Sequence, residues 1–232
     1  MSLVLVDLDG TLLPGASSER RFIARLLARR RLGPTQIVCA LWFLLRHWPA
    51  DGRWTFKKNK AYLAGLPVAE VAALAETFVR ADIEPRLRGT LLRRLERHRR
   101  TGDVVALLSG APDFIVAPLA ERLEIAVWRA TRCAQRDGRF LAEPPFRHPF
   151  AEEKLRFARE ICAALNIGLA DCTAYADSAH DLPLLRRVGR PVAVHPDRRL
   201  ASVARRQGWE MLDDPVRQTM PALLADRLRT PW

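Results

Sequence analysis

The stretch Leu3-Val4-Leu5-Val6-Asp7-Leu8-Asp9-Gly10-Thr11 decides how the chain is read. Its first four residues form a short, unbroken apolar run. By length and branching this reads as a strand buried on both faces of a parallel sheet. Three further runs share that character: Val104 to Leu108, Cys172 to Ala176 and Val192 to Val194. Helical patterns lie between them, clearest over Asp113 to Arg122, Glu152 to Leu165 and Arg198 to Gln207. Such alternation builds βαβ units, so the expected fold class is α/β, with a Rossmann-like parallel-sheet core. Gln135 to Leu141, centred on Asp137-Gly138, reads as a small appended hairpin.

Residues 14–82 break the alternation. They hold no convincing strand but four amphipathic stretches, Glu19 to Arg31, Thr35 to Trp48, Trp54 to Leu63 and Val68 to Ala81, divided by Gly33-Pro34, Pro49 to Gly52 and Gly65 to Pro67. An all-helical block wedged between the first strand and the rest of the sheet is an inserted cap. The expected organisation is a Rossmann-like core of 1–13 and 83–232 with an all-helical cap domain of 14–82. Trp42, Phe43, Leu44, Leu45 and Trp48, with Trp54 and Phe56, carry more apolar surface than one helix face buries. Two uses stay open for them, the cap's own core and the lining of a cleft beneath it.

Composition narrows the classes. Half of the 232 residues, 49%, are hydrophobic, which excludes a disordered chain and suits one ordinary domain with an insertion. The four cysteines, Cys39, Cys133, Cys162 and Cys172, include no C-x-x-C pair, so reduced thiols in a cytoplasmic protein are expected rather than a zinc ribbon or a disulfide framework. The longest strongly apolar stretch, Ile37 to Leu45, is far short of the roughly 20 residues of a spanning helix, so no transmembrane segment is expected. Leu3 to Val6 runs into Asp7 and Asp9 too soon for a signal-peptide core.

The net charge is +12, and only four of the 38 basic residues are Lys: Lys57, Lys58, Lys60 and Lys154. In a chain that uses Arg wherever a positive charge suffices, the solitary Lys154 marks a place that needs a compact ammonium. Arg clusters over residues 20–31 and 86–100 admit a second class of function, a basic module for nucleic acid or an anionic membrane surface. No nucleic-acid motif accompanies them, and aromatic residues do not alternate with the arginines, Phe22 being the one that falls within the clusters. Nucleic acid is therefore not required, while peripheral membrane contact stays open and the oligomeric state is not fixed.

The chemistry gathers at strand ends. Asp7 and Asp9, at i and i+2, leave the same side of an extended chain before Gly10 permits a tight turn, and open α/β sheets hold ligands just outside the carboxyl ends of their strands. Paired carboxylates can divide the work of nucleophile and proton donor. Ser109-Gly110 follows the second strand, Lys154 stands just inside the helix that begins near Glu152, and Asp177 and Asp181 follow the strand ending at Ala176. Taken singly, these are a cap, a solvated charge and turn acids. Their order and shared position are what is improbable.

In that order, Asp-x-Asp-Gly-Thr, Ser-Gly, Lys and Asp-x-x-x-Asp resemble the haloacid dehalogenase superfamily of aspartate-dependent phosphatases, over Val4 to Trp209. The helical insert directly after the first motif is similar to that of the phosphoserine phosphatase-like branch. The resemblance implies a phosphomonoester hydrolase with Asp7 as nucleophile, forming an aspartyl-phosphate, and Asp9 as acid and then base. It further implies Thr11, Ser109, Gly110 and Lys154 around the phosphate, Mg2+ on Asp7, the Asp9 carbonyl and Asp177, and Asp181 orienting Lys154 or a metal-bound water. Members acting on phosphoserine carry a glutamate nine positions after the nucleophile, where this chain has Ala16; phosphoserine is therefore not the expected substrate. A lipid or other amphiphilic phosphate is expected instead, with a small polar phosphorylated metabolite as the alternative. The last motif carries Ala176 and His180 where the branch usually has Gly and Asn, and His180 has two readings, a leaving-group contact or a packing residue.

Overall fold

The computed structural model describes residues 2–213, so the end of the expected core, 214–232, lies outside the described residues. Strand β1 (Leu3–Val6) is buried along its whole length and pairs in parallel with β2 (Val104–Pro112) on one side and β6 (Cys172–Ala176) on the other. With β3 (Val127–Thr131), β7 (Arg190–Val194) and β8 (Glu210–Leu212) the sheet runs β3-β2-β1-β6-β7-β8, parallel at every pairing. The chain winds outward from β1 to β3 and then returns to build β6 to β8. The order therefore reverses beside β1, where such sheets open a ligand crevice.

Side chains alternate across β1, and each face has its own core. Val4 and Val6 pack with residues of α5 (Gly89–Arg100) and α6 (Asp113–Arg122), while Leu3 and Leu5 pack with α7 (Glu152–Leu165), α8 (Leu182–Leu185) and α9 (Arg198–Gln207). The expected hairpin is present as β4 (Gln135–Arg136) and β5 (Arg139–Phe140).

The insert comprises α1 (Ser18–Ala28), α2 (Pro34–Asp51), α3 (Thr55–Lys58) and α4 (Val68–Phe78). It shares a core with the sheet: Phe22 of α1 meets Phe78 of α4 edge-on at 5.2 Å and Phe114 of α6 at 5.3 Å. Several expectations are corrected here. Trp54 to Leu63 is not one helix but a 3-10 turn, the four residues of α3 and a second 3-10 turn. Asn59 breaks it, its side chain accepting from Ala61 N–H and donating to Ala40 O in competition with helical bonds. The stretch expected as a helix to Ala81 ends at Phe78 and continues as a π turn over Val79–Ile83. Arg29, Arg30 and Arg31 lie beyond the end of α1. The cap aromatics do not form one core either: Phe43 is buried, whereas Trp42 is 63% exposed and Trp48 and Phe56 also stand in solvent.

Phe22 is fully buried where insert and sheet meet. Phe22→Ala is expected to lower stability by about 3–5 kcal/mol and to leave a single unfolding transition at lower temperature, as followed by calorimetry. A variant in which a helical unit melts separately would show that the shared core does not couple the two.

Candidate active site

Beyond Val6 the chain keeps its place in the sheet for one more residue, Asp7 N–H donating to Tyr175 O at 3.1 Å, and then folds back on itself. Leu12 and Leu13 N–H donate to the carbonyls of Asp7 (3.3 Å) and Leu8 (2.8 Å), and Gly10 N–H donates to Leu13 O at 2.8 Å. Gly10 adopts φ +87°, and a Cβ there would sit 2.0 Å from Asp177 Oδ2. The turn therefore needs glycine twice over, for its backbone and for the close approach of Asp177. Arg88 closes it from outside, donating Nε to Thr11 O at 2.9 Å and Nη2 to Gly10 O at 3.3 Å.

This loop gathers charge from the ends of β1 and β6 and from the start of α7. Asp7, Asp177 and Asp181 offer carboxylate oxygens within 4.8 Å of one another. Lys154 is buried and places Nζ 2.8 Å from both Asp7 Oδ1 and Asp181 Oδ1. The Thr11 hydroxyl lies 3.0 Å from Asp177 Oδ1 and 3.3 Å from Asp7 Oδ2; it has one proton, and the shorter bond is to Asp177. Asp9 turns to the start of α1, accepting from Ser18 N–H at 2.6 Å and from the Ser18 hydroxyl at 3.2 Å. Ser109 and Gly110 stand at the same sheet edge one strand away, just past the Val6↔Leu107 pairing, although β2 runs on to Pro112 where the sequence suggested an earlier end. The Ser109 oxygen accepts from Ala111 N–H at 3.1 Å.

Too many carboxylates are buried here for one ammonium. Burial raises Asp7, with Lys154 pulling against it and Asp181 adding to it. Burial pushes Asp9 up to about 6 against its two Ser18 bonds, and burial with the Asp7 charge pushes Asp177 up to about 7 against the Thr11 bond. Burial alone would lower Lys154, but Asp181 and Asp7 outweigh it and hold the ammonium charged. A crowded, oxygen-only donor set with surplus negative charge fits a hard divalent cation.

The sequence matches the haloacid dehalogenase-like hydrolase family over residues 4–186. The chain belongs to that family. It is 30% identical to a probable phosphatase of Mycobacterium tuberculosis, over 97% of this chain and 78% of that protein. Among solved structures it resembles a protein of unknown function from Bordetella pertussis Tohama I, 30% identical, with a TM-score of 0.75 over 91% of this chain and 97% of the other. A phosphoserine phosphatase in apo form is similar in fold, with a TM-score of 0.62 at 18% identity over 97% and 98% of the two chains. This haloacid dehalogenase-like hydrolase has a Rossmann-like core with helices inserted after its first strand.

Sequence reasoning missed the hydrolase's rim. His148 lies beside Gly110, whose added Cβ would come within 3.7 Å of His148 Cε1. The Thr131 hydroxyl donates to Gly110 O at 2.6 Å, so its oxygen receives the proton of His148 Nδ1 at 2.7 Å. That leaves Nε2 as the unprotonated nitrogen, buried without a protein partner among the described residues. Burial, then the charges of Lys60, Lys57, Lys58 and Lys154, push His148 down to about 3, so it is neutral. Phe150 stacks on His148 at 5.7 Å, and Trp54 and His180 approach Phe150 at 5.2 and 4.9 Å. His180, exposed, thus borders this aromatic group. Nothing in the spacing of His148-Pro149-Phe150 announced this; the group forms only when the insert lies over the sheet.

Gly10→Ala is expected to fold yet lose about a hundredfold in turnover, because the new methyl must displace the Asp177 carboxylate. Steady-state kinetics beside a circular dichroism spectrum test this. Unchanged turnover would show that the Gly10 approach to Asp177 has no catalytic weight.

Proposed function

We propose that the chain hydrolyses phosphate monoesters through an aspartyl-phosphate on Asp7, and that its substrate carries a bulky, apolar leaving group. The observation that carries the chemistry is the Lys154 bridge between Asp7 and Asp181 at the carboxyl end of β1. A carboxylate fixed there is oriented for in-line attack, and the ammonium beside it offsets charge on the equatorial phosphate oxygens.

Asp9 serves as acid and then base. A pKa near 6 lets one carboxyl give and take a proton close to neutrality, and its Ser18 bonds keep it off the Lys154 cluster. Ser109 accepts from Ala111 N–H, which leaves its hydroxyl hydrogen to donate to a phosphate oxygen alongside the backbone N–H groups around Thr11 and Gly110. Mg2+ held by Asp7, Asp177 and the Asp9 carbonyl would supply charge neutralisation at the transferring phosphoryl group. Asp181 positions Lys154 and holds its charge. The core is proposed as 1–13 and 83–232, and the cap as 14–82.

The substrate reading rests on the rim. Ala16 has no group for a substrate amine, and nearby Glu19 is committed: Lys60 Nζ lies 2.6 and 2.7 Å from its oxygens and Tyr62 OH donates to it at 2.8 Å. Phosphoserine is therefore disfavoured. Trp54 and Phe150 offer apolar rings, with Lys57 Nζ 5.7 Å from the Phe150 centroid to attract the phosphate end of an amphiphilic ester.

Asp7→Asn is expected to fold and to lose several orders of magnitude in turnover, and Asp9→Asn to harm alkyl phosphates more than p-nitrophenyl phosphate, whose leaving group scarcely needs a proton. Near-normal turnover in a folded Asp7→Asn variant, or equal losses on both esters in Asp9→Asn, removes the corresponding role.

For the leaving group, kcat/KM is expected to climb along a series of alkyl phosphates as the chain lengthens, and Trp54→Ala to flatten the climb. A flat wild-type series with good turnover of a small polar phosphate would transfer the assignment to polar metabolites.

A further inference from the structure

α2 is apolar nearly all the way round, yet the protein covers only one side of it. The inward side is tied down: Gln36 Nε2 donates to Ala64 O at 2.9 Å, Asn59 Nδ2 donates to Ala40 O at 3.0 Å, and Phe43 is buried. On the other side Ile37, Val38, Leu41, Trp42, Leu45 and Trp48 are each half or more exposed. At about 100° per residue these six fall within an arc of roughly 140°. Phe56 of α3 extends the stripe, meeting Trp48 edge-on at 5.8 Å and standing 61% exposed. A helix apolar on all sides belongs between two apolar partners, and exposed stripes of this extent mark interaction surfaces.

Charge selects the partner. Residues 20–69 contain eleven Lys and Arg against one acid, Asp51. Arg29, Arg30 and Arg31 stand exposed ahead of the stripe, Arg46 beside it and Lys57 next to Phe56. We infer that α2 docks on an anionic lipid surface, its outer stripe seated at the boundary of headgroups and acyl chains and the surrounding cations on lipid phosphates. Two tryptophans in the stripe suit that boundary. No helix among the described residues is long and apolar enough to cross a membrane, so α2 lies in the plane of the surface. A second copy of the chain across a two-fold axis would bring one cationic rim against another. A nucleic acid would engage the cations and leave the apolar centre wet.

The full-length chain, centrifuged with vesicles of phosphatidylcholine and phosphatidylglycerol, is expected to pellet at least tenfold more strongly than with phosphatidylcholine alone, and less in high salt. The double variant Leu41→Glu, Leu45→Glu is expected to weaken anionic-vesicle binding by at least about a hundredfold while keeping the wild-type far-UV spectrum and melting temperature. Removing Arg30 and Arg46 charge by Gln is expected to weaken it by about fivefold per residue. These readouts involve no turnover, so they stand or fall apart from the catalytic assignment. Equal binding to both kinds of vesicle, or a folded double variant that pellets like the wild type, would overturn the inference. So would a wild-type chain that ignores vesicles but forms dimers, by sedimentation equilibrium, that the double variant breaks; α2 would then be a self-association face.

Discussion

One buried ammonium holds the site together. Lys154 lies between Asp7 and Asp181, and without it carboxylates from two strand ends would face one another across a few ångströms in a poorly solvated edge. Its placement constrains everything near it. α7 must begin just ahead of Lys154, β6 must end just ahead of Asp177 and Asp181, and β1 must deliver Asp7 between them. Even so, the cluster stays over-rich in carboxylate; burial first, and then the Asp7 charge, raise Asp177 to about 7, and the surplus gives the site its appetite for positive charge.

How the sheet meets this demand is visible in its order. β1 sits between β2 and β6, so residues just past its end are flanked by the ends of both neighbours. The sequence showed this much, because a central strand buried on both faces must be apolar without interruption, as Leu3 to Val6 is. Edge strands leave weaker traces. β3 carries Arg129 and β8 has three residues, beginning with Glu210; both escaped notice because an edge tolerates charge and brevity. Asp7, Thr11, Asp177 and Asp181 were legible at strand ends and Lys154 at a helix start, and they converge. His148 and Phe150 were not, since they meet Trp54, whose place as core or cleft lining the sequence left open, only through packing.

The cap aromatics divide by surroundings rather than by residue type. Phe43 turns inward beside His47, Trp54 turns to Phe150 and His180, and Trp42 and Trp48 turn outward. Hydrophobic pattern alone announced an excess of apolar surface over what one helix face can bury, and the excess is real. It goes neither wholly into a core nor wholly over the catalytic edge, because the insert already shares a core with the sheet through Phe22, Phe78 and Phe114.

Arg88 has a consequence of a different kind. Its backbone N–H donates to Leu12 O at 2.9 Å while its guanidinium holds the Gly10 and Thr11 carbonyls, so the two ends of the insert leave the core side by side, stitched together at the loop after β1. A segment whose ends are pinned at adjacent points can lengthen, shorten or be exchanged without moving what lies beneath the pin. Descent with modification can therefore rewrite which molecules are admitted while the reacting groups stay where β1 and β6 put them.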